Sequence, residues 1–279
     1  MKNRAFLTTS AIFVALACVP AAASAQEADD NWSGIYIGGS IGATVQPNDI
    51  GESVLFDTNK DGRFGDTINT AAGANAFSPG FCNGAAQGAR SDSGCRNDKD
   101  GLEYFVRAGA DSQFGNFVVG LVGEFGHSRA SDSVTAFSTT PASYTLTRKA
   151  QYQGNIRGRI GYTPGTTLFY ATGGAAYARL RSNFSTTNTA NSFTTSGKSN
   201  ELGYTAGGGV EQKLGRNFSI GLEYLYTSFG KANTRIAVGP GTAGPTNPFL
   251  LVNPTGTNFA RSDSDFNMHS MRVTAAFRF

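Results

Sequence analysis

The stretch RVTAAFRF, residues 272 to 279, alternates polar and apolar side chains through its last position. Met271, Val273, Ala275, Phe277 and Phe279 share one face of an extended chain; Ser270, Arg272, Thr274, Ala276 and Arg278 share the other. Terminal residues of soluble domains fray, so a large aromatic side chain here calls for an apolar surface to cover it. The same two-residue period recurs upstream. In LEYFVRAGADSQF, Leu102, Tyr104, Val106, Ala108 and Ala110 oppose Glu103, Phe105, Arg107, Gly109 and Asp111. In AQYQGNIRGRIGY, Tyr152, Ile156, Ile160 and Tyr162 oppose Gln151, Gln153, Asn155, Arg157 and Arg159. In FSIGLEYLYTSF, Phe218, Ile220, Leu222, Tyr224 and Tyr226 oppose Ser219, Gly221, Glu223 and Thr227. A soluble sandwich buries one face of such strands against a second sheet. A transmembrane barrel turns that face to lipid and keeps the polar face inside.

The N-terminal 25 residues bear on this choice. Lys2 and Arg4 precede an apolar run from Ala5 to Cys18, and the small residues Ala23-Ser24-Ala25 stand before Gln26. That is the layout of a cleaved secretory signal, with residues 26 to 279 as the mature domain. A spanning helix is the alternative, but the run is about 14 residues where ~20 are needed. Cys18 would be an acylation site in a lipoprotein; Ala15-Leu16-Ala17 before it fits poorly, and the later cleavage site fits well. Removing Lys2 and Arg4 from 23 bases leaves 21 against 20 acids, a formal +1 that favours neither nucleic acid nor anionic lipid. With export and no mature segment long enough for a helical span, a closed sheet is what satisfies every backbone donor and acceptor in lipid.

Eight segments carry the alternation: 32 to 45, 101 to 114, 117 to 129, 149 to 163, 167 to 182, 200 to 213, 217 to 230 and 263 to 279. Tight turns fall at Phe114-Gly115-Asn116, Thr163-Pro164-Gly165-Thr166 and Leu214-Gly215-Arg216-Asn217. Long Ser/Thr/Asn/Gly-rich stretches fill 46 to 100, 130 to 148, 183 to 199 and 231 to 262. Short turns in the periplasm and long loops outside predict an eight-stranded antiparallel barrel in a Gram-negative outer membrane. TRIAV and NPFLLV in the last loop leave ten strands as the alternative.

The opening WSGIYIGGSIGA, GRIGY followed by LFYATGGAAYARL, GYTAGGGVEQKL with SIGLEYLYTSFG, and the closing RVTAAFRF resemble the small outer-membrane barrels of the opacity-protein and outer-membrane-protein-A-like superfamily. The resemblance covers essentially all the strands and little of the first and last long loops. It implies a non-enzymatic barrel contributing to envelope integrity and surface contacts. It also implies that Phe279 is read by the outer-membrane assembly machinery.

Alternation places Glu103, Arg107, Asp111, Glu124, Arg157, Arg159, Arg179, Glu211, Glu223 and Arg272 inside. An eight-stranded barrel is just wide enough for side chains to fill it, and charges held there must pair or stay hydrated. The near balance of sign predicts a plugged lumen rather than an ion-selective pore. A small passive porin and a ligand-binding adhesin are the competing functions. Catalysis on the lipid-facing rim would need His beside Ser, but His127-Ser128 and His269-Ser270 are sequential neighbours whose side chains point to opposite faces.

The first long loop, 46 to 100, has two features of its own. Asp57, Asn59, Asp61 and Gly62 in FDTNKDGRFGD match the start of a calcium loop, but Ile68 occupies the closing position and Asp66 lies two residues before it. Weak calcium binding and an ordinary Asp/Asn/Gly turn both fit; no other cofactor is signalled. Cys82 and Cys95, the two cysteines left after processing, predict a disulfide in an oxidising compartment. A loop so long and so stapled predicts a folded surface cap, whose ligand the residues do not name.

Overall fold

The computed structural model describes residues 30–46, 51–98, 100–197, 200–230, 234–263 and 265–279; the signal segment expected over residues 1–25 lies outside them. Eight strands form the barrel: β1 Gly34–Val45, β2 Gly101–Phe114, β3 Phe117–Ser128, β4 Ala142–Tyr162, β5 Thr167–Thr186, β6 Asn200–Lys213, β7 Phe218–Phe229 and β8 Phe266–Arg278. Each pairs antiparallel with its neighbours in sequence, and β8 closes on β1 with Phe277 opposite Ile37 and Arg272 opposite Gly42. Closure removes the sheet edges that lipid cannot satisfy.

Sidedness follows the alternation. Ile35, Ile37, Ile41, Val106, Leu121, Ile156, Leu222, Val273 and Phe277 are exposed on the outer surface, and Phe279 is 70% exposed there. Tyr36, Ser40, Thr44, Glu103, Phe105, Arg107 and Thr274 are buried inside. Aromatic rings flank this apolar band at both ends. Phe114, Phe117, Tyr162, Phe169 and Phe218 mark the end with the short turns, and Tyr104, Phe125, Tyr152, Tyr177, Tyr204 and Tyr224 mark the other. These are the girdles of a membrane barrel. Glycines on the inner face leave space for large side chains. A Cβ on Gly109 would lie 2.3 Å from the Tyr36 ring, and one on Gly209 would lie 2.8 Å from the Tyr170 hydroxyl.

The long connections are built structure rather than slack, and their strands stay outside the barrel wall. The hairpin between β3 and β4 continues upward, because Ser131–Ser138 pairs with the first part of β4 and β5 runs beside it as far as Thr186. A second sheet of four short strands faces this extension, in the order Ser192–Ser196, Arg235–Gly239, Thr257–Arg261, Val54–Asp57. Val54, Phe56, Ile68, Phe77, Val134, Tyr144, Leu146, Ile236, Val238, Phe249 and Phe259 form one apolar core between them. TRIAV thus becomes a strand, but its partner is Thr257–Arg261 and not NPFLLV. The ten-strand alternative gives way to eight strands and a cap, because these segments find their partners among one another. Cys82 and Cys95 form the expected disulfide, and the segment it closes lies on the far face of the extension, where the Thr135 hydroxyl donates to the Gly84 carbonyl at 2.8 Å.

Candidate functional site

The lumen is filled in layers. At the periplasmic end Trp32 is fully buried and donates its indole N–H to the Gly165 carbonyl at 3.0 Å. Its ring packs under Arg278, 4.9 Å from centroid to guanidinium, and under the Lys213 ammonium at 5.3 Å. Above it Asp111 and Glu211 share two guanidiniums. Arg278 reaches Asp111 at 2.7 Å and Glu211 at 3.3 Å, while Arg159 bonds Asp111 and reaches Glu211 at 2.9 Å. Next, Arg157 bridges Glu124 at 2.9 Å and Glu223 at 3.1 Å, with Arg107 3.6 Å from each of the same two carboxylates. The Tyr170 hydroxyl donates to Glu223 at 2.9 Å. Arg272 then links Glu124 at 2.9 Å to Glu103 at 2.5 Å, and Thr44 and Ser270 also donate to Glu103.

Five arginines therefore meet five carboxylates, each ion within reach of at least one of opposite sign. Burying an ion costs several kcal/mol, and a balanced, multiply bonded network is the arrangement that offsets this. Above the network Leu180, Phe229, Phe266 and Met268 form an apolar plug. Above that plug, inside the cap, Arg261 holds Glu52 at 2.5 Å and Asp132 at 2.7 Å, and Arg148 holds Asp132 at 2.6 Å. Burial raises Glu52 above the ordinary carboxyl range; Asp132 is buried too, but Arg261 and Arg148 bring it below that range. Asp98, which accepts the Ser133 N–H at 2.6 Å, is pushed up to about 7, first by burial and then by the charge of Asp132.

Nine of the ten side chains expected inside are there: Glu103, Arg107, Asp111, Glu124, Arg157, Arg159, Glu211, Glu223 and Arg272. Arg179 is not. On β5 it is Tyr170, Thr172, Ala176, Ala178 and Leu180 that point inward and are buried, so Arg179 shares the outer face with Tyr177 and is exposed. Arg278 stands on the polar face of the closing strand and completes the lowest layer. The cap cluster of Glu52, Asp132, Arg148 and Arg261 carries no local signal, because its members come from three loops and an extended strand.

His127 and His269 lie at the outer end of the barrel wall. His127 Nδ1 contacts the Gln151 carbonyl, and His269 Nδ1 is 2.7 Å from the Tyr224 hydroxyl. Neither forms a dyad with its adjacent serine. In the first loop, Asp57 accepts the Gly62 N–H at 3.2 Å, Asn59 accepts from Asp61 at 3.0 Å and Asp61 accepts from Arg63 at 2.8 Å. Asp66 is engaged by the Thr58 N–H and hydroxyl, both at 2.8 Å. Among the described residues no three His, Cys, Asp or Glu side chains converge on a metal position.

A lipid-facing barrel with a polar interior and elaborated loops defines an outer-membrane protein. The chain belongs to the outer membrane protein beta-barrel domain family, whose sequence model matches residues 11–279. It is similar to the 31 kDa outer-membrane immunogenic protein of Brucella melitensis biotype 1, with 31% identity over 62% of this chain and 65% of that protein. It is also similar to a 22 kDa outer membrane protein of Rhizobium leguminosarum bv. viciae, with 29% identity over 53% of this chain and 63% of that protein. The chain thus spans just under two thirds of the length of these relatives. Among solved structures, OprG of Pseudomonas aeruginosa aligns over 91% of this chain and 99% of its own with a TM-score of 0.48 and 12% identity.

Proposed function

We propose that the protein is a structural, non-catalytic barrel with a closed lumen, contributing to envelope integrity, and that its ordered cap makes the contacts at the cell surface. The observation that carries this is the balanced network of five arginines and five carboxylates across the bore, sealed by Trp32 below and by Leu180, Phe229, Phe266 and Met268 above. Opening a water path would require these pairs to separate, at several kcal/mol for each uncompensated ion. A passive porin of this size would instead leave its bore hydrated. Purified protein in planar lipid bilayers should be electrically silent; steady single-channel steps would refute the closed lumen and favour the porin.

We propose further that the assembly machinery recognises the closing strand through Phe279. Its ring lies on the outer face 5.2 Å from that of Phe277, and its N–H donates to the Ile35 carbonyl at 3.0 Å, so it sits on the seam where β8 joins β1. Phe279→Ser should lower the yield inserted in cells while purified protein still refolds in detergent. Equal insertion in cells would remove Phe279 from recognition.

A further inference from the structure

We infer that the extracellular lip over β3, β4 and β5 is a binding site for the phosphate groups of an outer-leaflet lipid. The residue that fails to enter the lumen is the starting point. Arg179 and Arg181 both project from the outer face of β5, two and four residues beyond Tyr177 on the lipid side. Arg179 is the register partner of Tyr152 in the outer aromatic girdle, so it stands at the level of that girdle. Arg181 lies about 7 Å farther out along the strand. Directly opposite Arg181 is Lys149 of β4, also exposed. Arg129, exposed just past the end of β3, flanks them, since the Ala150 N–H donates to the Ala130 carbonyl in the adjoining strand. Four cations from three adjacent strands thus share one side of the barrel at the height where hydrocarbon gives way to headgroups.

Their charge is not answered among the described residues. None of Arg129, Lys149, Arg179 and Arg181 pairs with a carboxylate among the described residues. Like charges directly opposite each other across two strands destabilise the pairing, and more so beside hydrocarbon than in open water. At the outer ends of other wall strands stand Val45 on β1, Tyr226 on β7 and His269 on β8, and the register partner of Arg179 on β6 is Asn200.

The surface is also indented there. At Gln151 the pairing of β4 with β5 slips by one residue, and two hollows flank the slip. One of about 480 Å³ is lined by Gln151, Arg179, Arg181, Ser182 and Ser196, and one of about 310 Å³ by Arg129, Lys149, Gln151, Arg181 and Asn183. Arg181 belongs to both. Guanidiniums with hydroxyl and amide donors around them suit tetrahedral oxyanions, which Arg can hold with two parallel hydrogen bonds. A lipid carrying two phosphates on a saccharide head would set one in each hollow and lay its acyl chains along Tyr177 and Ile156.

The test uses the full protein in nanodiscs of phosphatidylcholine doped with a diphosphorylated glucosamine lipid, with retained lipid counted by native mass spectrometry. Wild type should retain the phosphorylated lipid. The triple variant Lys149→Gln, Arg179→Gln, Arg181→Gln should bind it on the order of 100-fold more weakly, at about 1 kcal/mol for each cation lost near the surface. Should the triple variant fold poorly, Arg179→Gln alone, checked by heat-modifiable gel mobility, should still weaken retention, whereas Arg179→Lys should largely keep it. Equal retention by wild type and a folded Gln variant would overturn the assignment. So would full displacement of the lipid by millimolar inorganic pyrophosphate, which would make the site one for free anions.

Discussion

Removing Arg157 is the most direct perturbation of the lumen. Its guanidinium is fully buried and holds Glu124 at 2.9 Å, Glu223 at 3.1 Å and the Asn155 amide oxygen at 2.9 Å. In Arg157→Ala, Glu124 keeps Arg272 at 2.9 Å, but Glu223 keeps only the Tyr170 hydroxyl and the longer contact to Arg107 at 3.6 Å. The bore then holds one surplus negative charge, and breaking a buried pair from one side costs about 3–5 kcal/mol. Adding Glu223→Gln restores neutrality, so the double variant should be more stable than the sum of the two single losses by about 1–3 kcal/mol. The chain has a single tryptophan, Trp32, placed at the periplasmic mouth, so its fluorescence reports urea unfolding of the barrel in vesicles directly. The surplus charge should also draw in water, so that Arg157→Ala passes cations in planar bilayers where wild type does not. A loss under about 1 kcal/mol in Arg157→Ala, or strict additivity in the double variant, would refute a mutually dependent network.

Three further outcomes are expected. Phe259→Ala, which removes a buried ring 5.1 Å from Phe56 and 5.5 Å from Phe249, should cost the cap about 3–5 kcal/mol. Protease should then cut the loops while heat-modifiable mobility of the barrel is unchanged; coupled loss of both would mean that cap and barrel fold as one unit. Because Asp98 in the folded cap holds its proton up to about 7, well above the ordinary carboxyl value of 3.8, the folded state binds more protons than the unfolded one across that window. The cap's stability should therefore be greatest in acid and fall as pH rises toward and through 7, and Asp98→Asn should flatten the profile. Hydrogen exchange of Ser131–Ser138, corrected for intrinsic rates, reads this, and protection that increases with pH in wild type would contradict it. Any calcium binding at the Asp57–Gly62 turn should be no tighter than the ~0.1–1 mM range. Asp57 Oδ1 is buried without a hydrogen-bond partner, but Asp66 is committed to Thr58 and the apolar Ile68 is buried. Titration calorimetry showing equal heats for wild type and Asp57→Asn would dismiss the site.

The period of two in RVTAAFRF and its counterparts was enough to decide sidedness, the eight wall segments and nearly all of the lumen charges, because alternation is a local property of an extended backbone; whether the last loop added two more strands to the wall was left to the folded chain. Arg179 shows a limit of phasing a strand by its charges: a basic side chain suggests the polar face, whereas alternation carried unbroken along β5 from Tyr170 places it outside. Arg278 shows another, since its partners Asp111 and Glu211 lie on β2 and β6 and only closure of the barrel brings them together. The cap was hidden more deeply. Its core joins Phe56 to Phe259 across a register that pairs residues about 200 positions apart, within segments whose Ser, Thr, Asn and Gly content reads as loop. A strand pattern records which face is apolar, and says nothing about which distant strand will cover it. That choice belongs to the folded chain, where the cap strands, left out of the closed wall, bury their apolar faces against the extended β3–β4 hairpin.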